Sequence, residues 1–249
     1  MTRTSRTASV SLTVTLAAGL LLTGCSFDDG PKKTASADAT VTEAITAVDV
    51  SDARSGSIEV TPGTGPGVTV RRTVHYRGDT VPEPAQRVSG GVLTLTNGTC
   101  SDSCSVDYRL EVPASAKVTL DSSSGDITVA GVAAAEIETS SGSVRADRIA
   151  GPLKISTSSG PITAENLGAP SVDAHSDSGD VRLVFPKAPN SVAVETTSGD
   201  ATVQVPPAPY RVDIDTSSGS REITVPTDPA APSHLSVKTT SGDVRISRL

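Results

Sequence analysis

The carboxylates of this chain recur along it and do not converge on one point. Between Lys117 and Leu249 seven glycines each follow a serine: Ser124-Gly125, Ser141-Gly142, Ser159-Gly160, Ser178-Gly179, Ser198-Gly199, Ser218-Gly219 and Ser241-Gly242. Four residues before each glycine stand Asp121, Glu138, Ser156, His175, Glu195, Asp215 and Lys238, and six before it stand, among others, Glu136, Asp173 and Asp213. Positions two apart share one face of a strand, so these residues form two neighbouring columns. The chemistry on offer is an acidic band broken by Lys154, His175 and Lys238. Such a band can bind cations, a basic peptide or a basic protein, and it also serves as a charged face that keeps a flat sheet soluble. Paired carboxylates are equally the equipment of glycoside hydrolysis, which needs an acid and a base on either side of one bond. Here the repeat supplies many equivalent carboxylates and no single pair. Aromatic sugar platforms are lacking in the repeat beyond Tyr210, and His75, His175 and His234 fall in different units with no elbow motif framing a Ser/His/Asp group. Asp126, Asp180, Asp200 and Asp243 directly follow the turn glycine, without the longer Gly-Gly-x-Gly-x-Asp nonapeptide of calcium-binding rolls. They read as turn-capping residues. No catalytic residue, metal or cofactor is expected.

These columns need elements that repeat. The glycines at 125, 142, 160, 179, 199, 219 and 242 are 17, 18, 19, 20, 20 and 23 residues apart. Apolar residues stand five before each (Leu120, Ile137, Ile155, Ala174, Val194, Ile214, Val237) and seven before each (Val118, Ala135, Leu153, Val172, Val192, Val212, Leu235). Two and four after it come pairs such as Ile127/Val129, Val144/Ala146, Ile162/Ala164 and Val181/Leu183. At Gly219, Ser220 and Arg221 read as a two-residue insertion that shifts the pair to Ile223 and Val225. Alternation with period two marks strands with one face buried, so each unit is strand, Ser-Gly turn, strand. A unit of this size cannot bury its own face, but stacked copies can. The fold class expected is therefore all-β, a parallel β-solenoid of 17–23-residue coils. A β-sandwich of hairpins is the competing architecture, although it does not require the same residue at the same place in every unit. With 36% hydrophobic and only 2% aromatic residues, the core must be aliphatic, which suits flat stacked strands. Three before each glycine stand Ser122, Thr139, Thr157, Ser176, Thr196, Thr216 and Thr239, inward by parity and all hydroxylic. They read as a ladder in which hydroxyls satisfy one another from coil to coil.

Residues 116–249 form the regular repeat and 44–115 an irregular set of first coils that caps the N-terminal edge. Within the latter, Val92–Thr96 and Val106–Val112 read as outgoing and return strands. The last strand, with Arg245 and Arg248, is expected as an open edge guarded by charge. Cys100 and Cys104 flank three residues in an exported chain, and a disulfide is the plain reading, against a redox switch or a metal site.

Residues 1–24 read as a secretory signal, with Arg3 and Arg6 ahead of a mostly apolar run too short to span a membrane. The run ends in Leu22-Thr23-Gly24-Cys25, which resembles the bacterial lipobox, whose cysteine is lipidated and becomes the mature N-terminus. Residues 25–43, polar and poor in large apolar side chains, read as the lipidated Cys25 and a flexible tether. Removing residues 1–24 takes away two arginines and no acid, leaving 19 basic against 28 acidic residues and a net charge of −9. That balance disfavours nucleic acid and anionic lipid as partners.

The repeated Ser-Gly-Asp-Val/Ile turn, the Val92-Leu93-Thr94-Leu95 strand, the Cys100/Cys104 segment and Leu110-Glu111-Val112-Pro113 resemble a bacterial β-strand-repeat family. It carries the provisional name putative adhesin and is a domain of unknown function. The resemblance covers roughly residues 44–249 and implies a cell-envelope location and adhesion, with no catalytic residues. The function expected is a lipid-anchored, extracytoplasmic β-solenoid with a non-catalytic binding surface for an envelope protein or cell-wall polymer. A scaffold or modulator of an envelope-stress signalling system is the alternative, and a carbohydrate-active β-helix enzyme the third reading.

Overall fold

The computed structural model describes residues 31–100 and 104–249, the Asp52 side chain apart, together with the backbone of a short strand, β1 (Thr15–Ala17). The secretory-signal reading of residues 1–24 and the lipidation of Cys25 otherwise lie outside the described residues. After β2 (Lys33–Val41), a first coil joins β3 (Ala47–Ser55) to β4 (Ile58–Pro62). β5 (Val68–Tyr76), β6 (Ala85–Ser89), β7 (Val92–Thr96) and β8 (Ser105–Val112) follow. Then come β9 (Lys117–Ser124) with β10 (Ile127–Ala130), β11 (Ala134–Ser141) with β12 (Val144–Asp147), and β13 (Leu153–Ser159) with β14 (Ile162–Glu165). The chain continues with β15 (Ser171–Ser178) and β16 (Val181–Val184), β17 (Ser191–Ser198) and β18 (Ala201–Val205), β19 (Arg211–Ser218) and β20 (Arg221–Ile223), and β21 (His234–Ser241) and β22 (Val244–Arg248).

The first strand of each coil lies in one sheet (sheet B), the second in another (sheet A), and the two inner faces form the core. The solenoid follows directly from the register. Ile137 pairs with Leu120 and Ile155, and Val144 with Ile127 and Ile162, so like positions stack on like. The columns five and seven before the glycine are buried from Val118 to Val194.

The turn glycine is required by two separate facts. Gly160 has φ +136°, a conformation side chains rarely adopt, and a Cβ on it would overlap the Gly142 carbonyl of the coil beneath. The aspartates after the glycines do cap turns, but mostly those of the adjacent coil. Asp126 Oδ1 accepts from the backbone N–H of Ser143 (2.9 Å), and Asp180 Oδ1 accepts from that of Asp200 (2.9 Å). The hydroxyl column is buried as its parity demands, except for Thr216 on the edge strand β19, yet among the described residues its members do not bond one another. Thr139 Oγ1 donates to the Ser141 carbonyl of its own turn, and Ser122 Oγ to those of Ala53 and Ser124. Thr157, Ser176, Thr196 and Thr239 have hydroxyls without a hydrogen-bond partner among the described residues. The reason is spacing. Equivalent atoms in stacked strands repeat at about 4.8 Å, whereas an O–H···O bond needs about 2.8 Å.

The stack does not follow the chain. Sheet B runs β17–β21–β19 and sheet A runs β18–β22–β20, so the last coil in sequence is wedged between the two before it. The expected open edge at Arg245 and Arg248 is therefore corrected: β22 is internal, and β19 and β20 are the edges. The insertion read at Gly219 is also corrected. Arg221 pairs with Val244 and Ile223 with Ile246, so the coil is in ordinary register with an arginine in an apolar column. That arginine is tolerated because nothing stacks beyond it. Its guanidinium donates to the Thr216 carbonyl (3.0 Å). The ten residues Thr224–Ser233 bring the chain back to the slot, held by Tyr210 N–H to the Pro226 carbonyl and Asp228 N–H to that of Tyr210.

The N-terminal end is also built out of order. β7 stacks parallel on β3 in sheet B, and β8 parallel on β4 in sheet A. Hence Val92–Thr96 and Val106–Val112 belong to different sheets and are not a hairpin. The Cys100–Cys104 disulfide (Cα–Cα 5.4 Å) closes the loop that replaces the Ser-Gly turn between them. β6 closes sheet B antiparallel to β7, while β5 and then β2 extend sheet A antiparallel beyond β8. The segment expected as tether thus contains a nine-residue strand with Ala39 and Val41 in the core.

Candidate functional site

All seven acidic residues singled out lie on the outer, exposed face of sheet B. Asp121 and Glu138 are cross-strand neighbours, and Ser156 stands on the other side of Glu138. In the adjacent column Lys154 sits between Glu136 and Asp173 and donates to Glu136 Oε1 (2.8 Å). Its ammonium pKa is raised, first by that hydrogen bond and then by the Glu136 charge. Farther along, the order of the coils puts Lys238 between Glu195 and Asp215, with Lys238 Nζ donating to Glu195 Oε1 at 3.1 Å. Asp213 takes both His234 Nε2 (2.7 Å) and Arg211 Nη2 (3.3 Å). Its carboxyl pKa is held low, mainly by the His234 bond. The face is therefore acidic at Asp121/Glu138 and charge-alternating elsewhere. A shallow groove of about 420 Å³ crosses it, lined by Lys117, Glu136, Lys154, Asp173, Ser191 and Ala193 among others. It exists because small residues such as Ala134 and Ala193 stand where neighbouring strands carry long side chains. Glu136 and Asp173 line it, and the other five acids lie elsewhere on the face.

The sequence reading did not foresee one constellation, on the outer face of sheet A. His75 Nε2 lies 2.9 Å from Asp107 Oδ2, and Thr34 Oγ1 lies 3.4 Å from His75 Nδ1. Asp107 Oδ1 accepts from both the backbone N–H (2.7 Å) and the hydroxyl (3.0 Å) of Ser57. Burial pushes the Asp107 pKa up, but the Ser57 and His75 bonds outweigh it and hold the carboxyl below its ordinary range. Thr34, His75, Asp107 and Ser57 come from β2, β5, β8 and the Gly56 turn, so only the strand pairings reveal the grouping. It resembles a relay by type, but it stands on an open sheet surface and Asp107 is engaged in clamping the turn. No group of three or more His, Cys, Asp or Glu able to hold a metal occurs among the described residues.

Comparison with known proteins agrees with this architecture. No curated protein matches the chain. Among solved structures, a putative adhesin from Bacteroides fragilis NCTC 9343 is 13% identical with a TM-score of 0.54, over 87% of this chain and 97% of that one. A putative adhesin from Parabacteroides distasonis ATCC 8503 is 16% identical with a TM-score of 0.42, over 89% and 98%. The family pattern called Toastrack matches residues 31–247, which brings the antiparallel β2 into the same domain as the coils, and the chain belongs to that family, DUF4097.

Proposed function

We propose that this chain is a lipid-anchored cell-envelope protein whose stacked coils present a non-catalytic, adhesin-like binding surface. The observation that carries the reading is the outer face of sheet B. There, fixed register holds charges in rows about 4.8 Å apart, and Asp121 stands directly beside Glu138. A rigid row of charge recognises an extended partner at little ordering cost. The partner class is an envelope protein or a cell-wall polymer with positive charge. Lipidation of Cys25 would hold the domain at the membrane, since an acidic protein gains nothing from anionic lipid.

The test is co-sedimentation of the purified protein with isolated cell-wall material, alongside crosslinking in cells followed by mass spectrometry. The double variant Asp121→Lys, Glu138→Lys, which exchanges one like-charge pair for another, should lose binding at unchanged melting temperature. Equal binding by that variant rejects this face as the site. Release of sugar products from cell-wall glycans would instead favour an enzyme. A single protein partner whose loss alters an envelope-stress reporter would favour the scaffold reading.

A further inference from the structure

Polar side chains left unpaired in the interior gather at the N-terminal end of the stack. Outside the hydroxyl column, the buried side-chain atoms without a hydrogen-bond partner among the described residues are Arg72 Nε, Gln86 Oε1, and Oδ1 and Nδ2 of Asn97. The strand pairings bring these three residues together. In sheet A, Arg72 faces inward from β5 between Val70 and Val74, with Tyr108 of β8 on one side and Ala37 of β2 on the other. In sheet B, β6 pairs Ala85 with Thr96 and Gln86 with Leu95, so Gln86 and Asn97 are diagonal neighbours and Pro84 stands opposite Asn97. Arg72 reaches across the core to that point, where its Nη1 donates to the Pro84 carbonyl (3.2 Å).

Buried charges are ordinarily paired and buried amides ordinarily bonded. Asn97 is only 2% exposed, yet neither end of its amide is bonded. No carboxylate forms an ion pair with Arg72 among the described residues. Burial pushes the Arg72 pKa down, and Tyr108 alone offsets part of that. Tyr108 is no counter-ion at neutral pH, because burial pushes its phenol up to about 12. Its hydroxyl donates instead to the Thr96 carbonyl (3.2 Å). With Nη1 taken by Pro84, the guanidinium keeps its Nε edge, and Nε with Nη2 is the fork that matches the two oxygens of a carboxylate. The way in is from the end of the stack. Beyond β8, sheet A adds β5, β2 and β1, whereas beyond β7 sheet B adds β6 alone. β2 therefore overhangs, and Ala35 and Ala37 on its inner face are only half-buried.

We propose that this recess binds a small 2-hydroxy carboxylate of the size of glycolate or lactate. Its carboxylate takes the Arg72 fork and the N–H of the Asn97 amide. Its hydroxyl donates to Gln86 Oε1, an acceptor that a plain carboxylate leaves unpaired. The small side chain of Ala37, beside Arg72 in the ladder, leaves room for the body of the ligand. The site lies apart from the sheet B face and depends neither on the reading of that face nor on the anchor.

The experiment titrates the purified full chain in detergent with isotope-labelled glycolate at constant ionic strength, read by NMR line width and by thermal melting. Wild type should broaden the glycolate signal saturably. Its melting temperature should rise by roughly 3–5 °C at ten times the half-saturating concentration. Acetate, which lacks the hydroxyl, should need a roughly three- to tenfold higher concentration. Arg72→Lys keeps the charge but loses the fork, and should weaken glycolate binding about tenfold or more. Gln86→Met should bind glycolate and acetate alike, and this variant serves if Arg72→Lys fails to fold. A wild type without saturable broadening overturns the proposal. So does a wild type that binds glycolate no better than acetate, or an Arg72→Lys protein with wild-type affinity.

Discussion

Asp200 and Asp243 are 43 residues apart, yet the Asp200 carboxylate accepts the backbone N–H of Asp243 at 2.8 Å. Asp243 in turn accepts from Ser220, 23 residues before it, at 2.8 Å. This chain of clamps can close only if the final coil sits inside the stack. The charges agree with that order. In sequence order Glu195 would lie beside Asp215, a destabilising like-charge pair. In the observed order Lys238 separates them.

The clamps predict acid sensitivity. Asp107, Asp126, Asp213 and Asp243 all have carboxyl pKa values lowered below the ordinary 3.8. A group whose folded pKa is depressed contributes stability above its unfolded pKa and loses it as pH falls through the folded one. Melting temperature should therefore be flat from pH 7 to about 5 and fall below about pH 4. Asp107→Asn, which removes the carboxylate clamped to Ser57, should flatten part of that fall in a thermal series at stepped pH. A wild-type curve unaffected down to pH 2 would contradict the clamps.

The hydroxyl column predicts opposite effects from one substitution. Thr157 is buried with its hydroxyl unpartnered, whereas Thr139 donates to the Ser141 carbonyl. Thr157→Val removes a desolvated group that makes no bond and should be neutral or stabilising by up to about 1 kcal/mol. Thr139→Val loses a bond and should cost about 1 kcal/mol. Chemical denaturation of both variants gives the comparison, and equal losses would show that the hydroxyls behave alike.

The turn column was legible in the sequence, and so was the consequence of changing it. Gly160→Ala forces a side chain into positive φ and against the Gly142 backbone. A loss of roughly 2–4 kcal/mol is expected from strain and displacement together. The control is Gly65→Ala, where a Cβ meets nothing within 4 Å. Its melting temperature should stay near wild type.

What sequence could reveal here followed from period and register. The inward columns, the Ser-Gly turns and the acidic residues sharing one face were all visible, because a parallel stack repeats each position at the same spacing. The order of the coils was hidden by the same regularity, since interchangeable coils satisfy the apolar columns in any order. The signals that broke the degeneracy were small: Arg221 in an apolar column and a 23-residue last spacing with prolines at 226, 229 and 232. β2 was missed because its alternation is carried by Ala35, Ala37 and Ala39, whose small side chains read as linker composition. The Thr34–His75–Asp107 grouping needs antiparallel pairings across three strands, which no local pattern encodes.

The disulfide makes the last prediction, and it separates stability from surface function. Cys100 is buried and Cys104 packs against the core, in a loop joining the two sheets at the capped end. A bridge spanning four positions removes little unfolded-state entropy, about 2 kcal/mol in the chain-entropy account. Cys100→Ser with Cys104→Ser should lower stability by about that amount. It should leave binding through the sheet B face unchanged, because the first coil, β3 with β4, lies between this loop and the coils that carry Asp121 and Glu138. Denaturation midpoints of the oxidised, reduced and double-serine proteins test this. A loss of cell-wall binding on reduction, at intact fold, would instead move the recognition surface to the N-terminal cap.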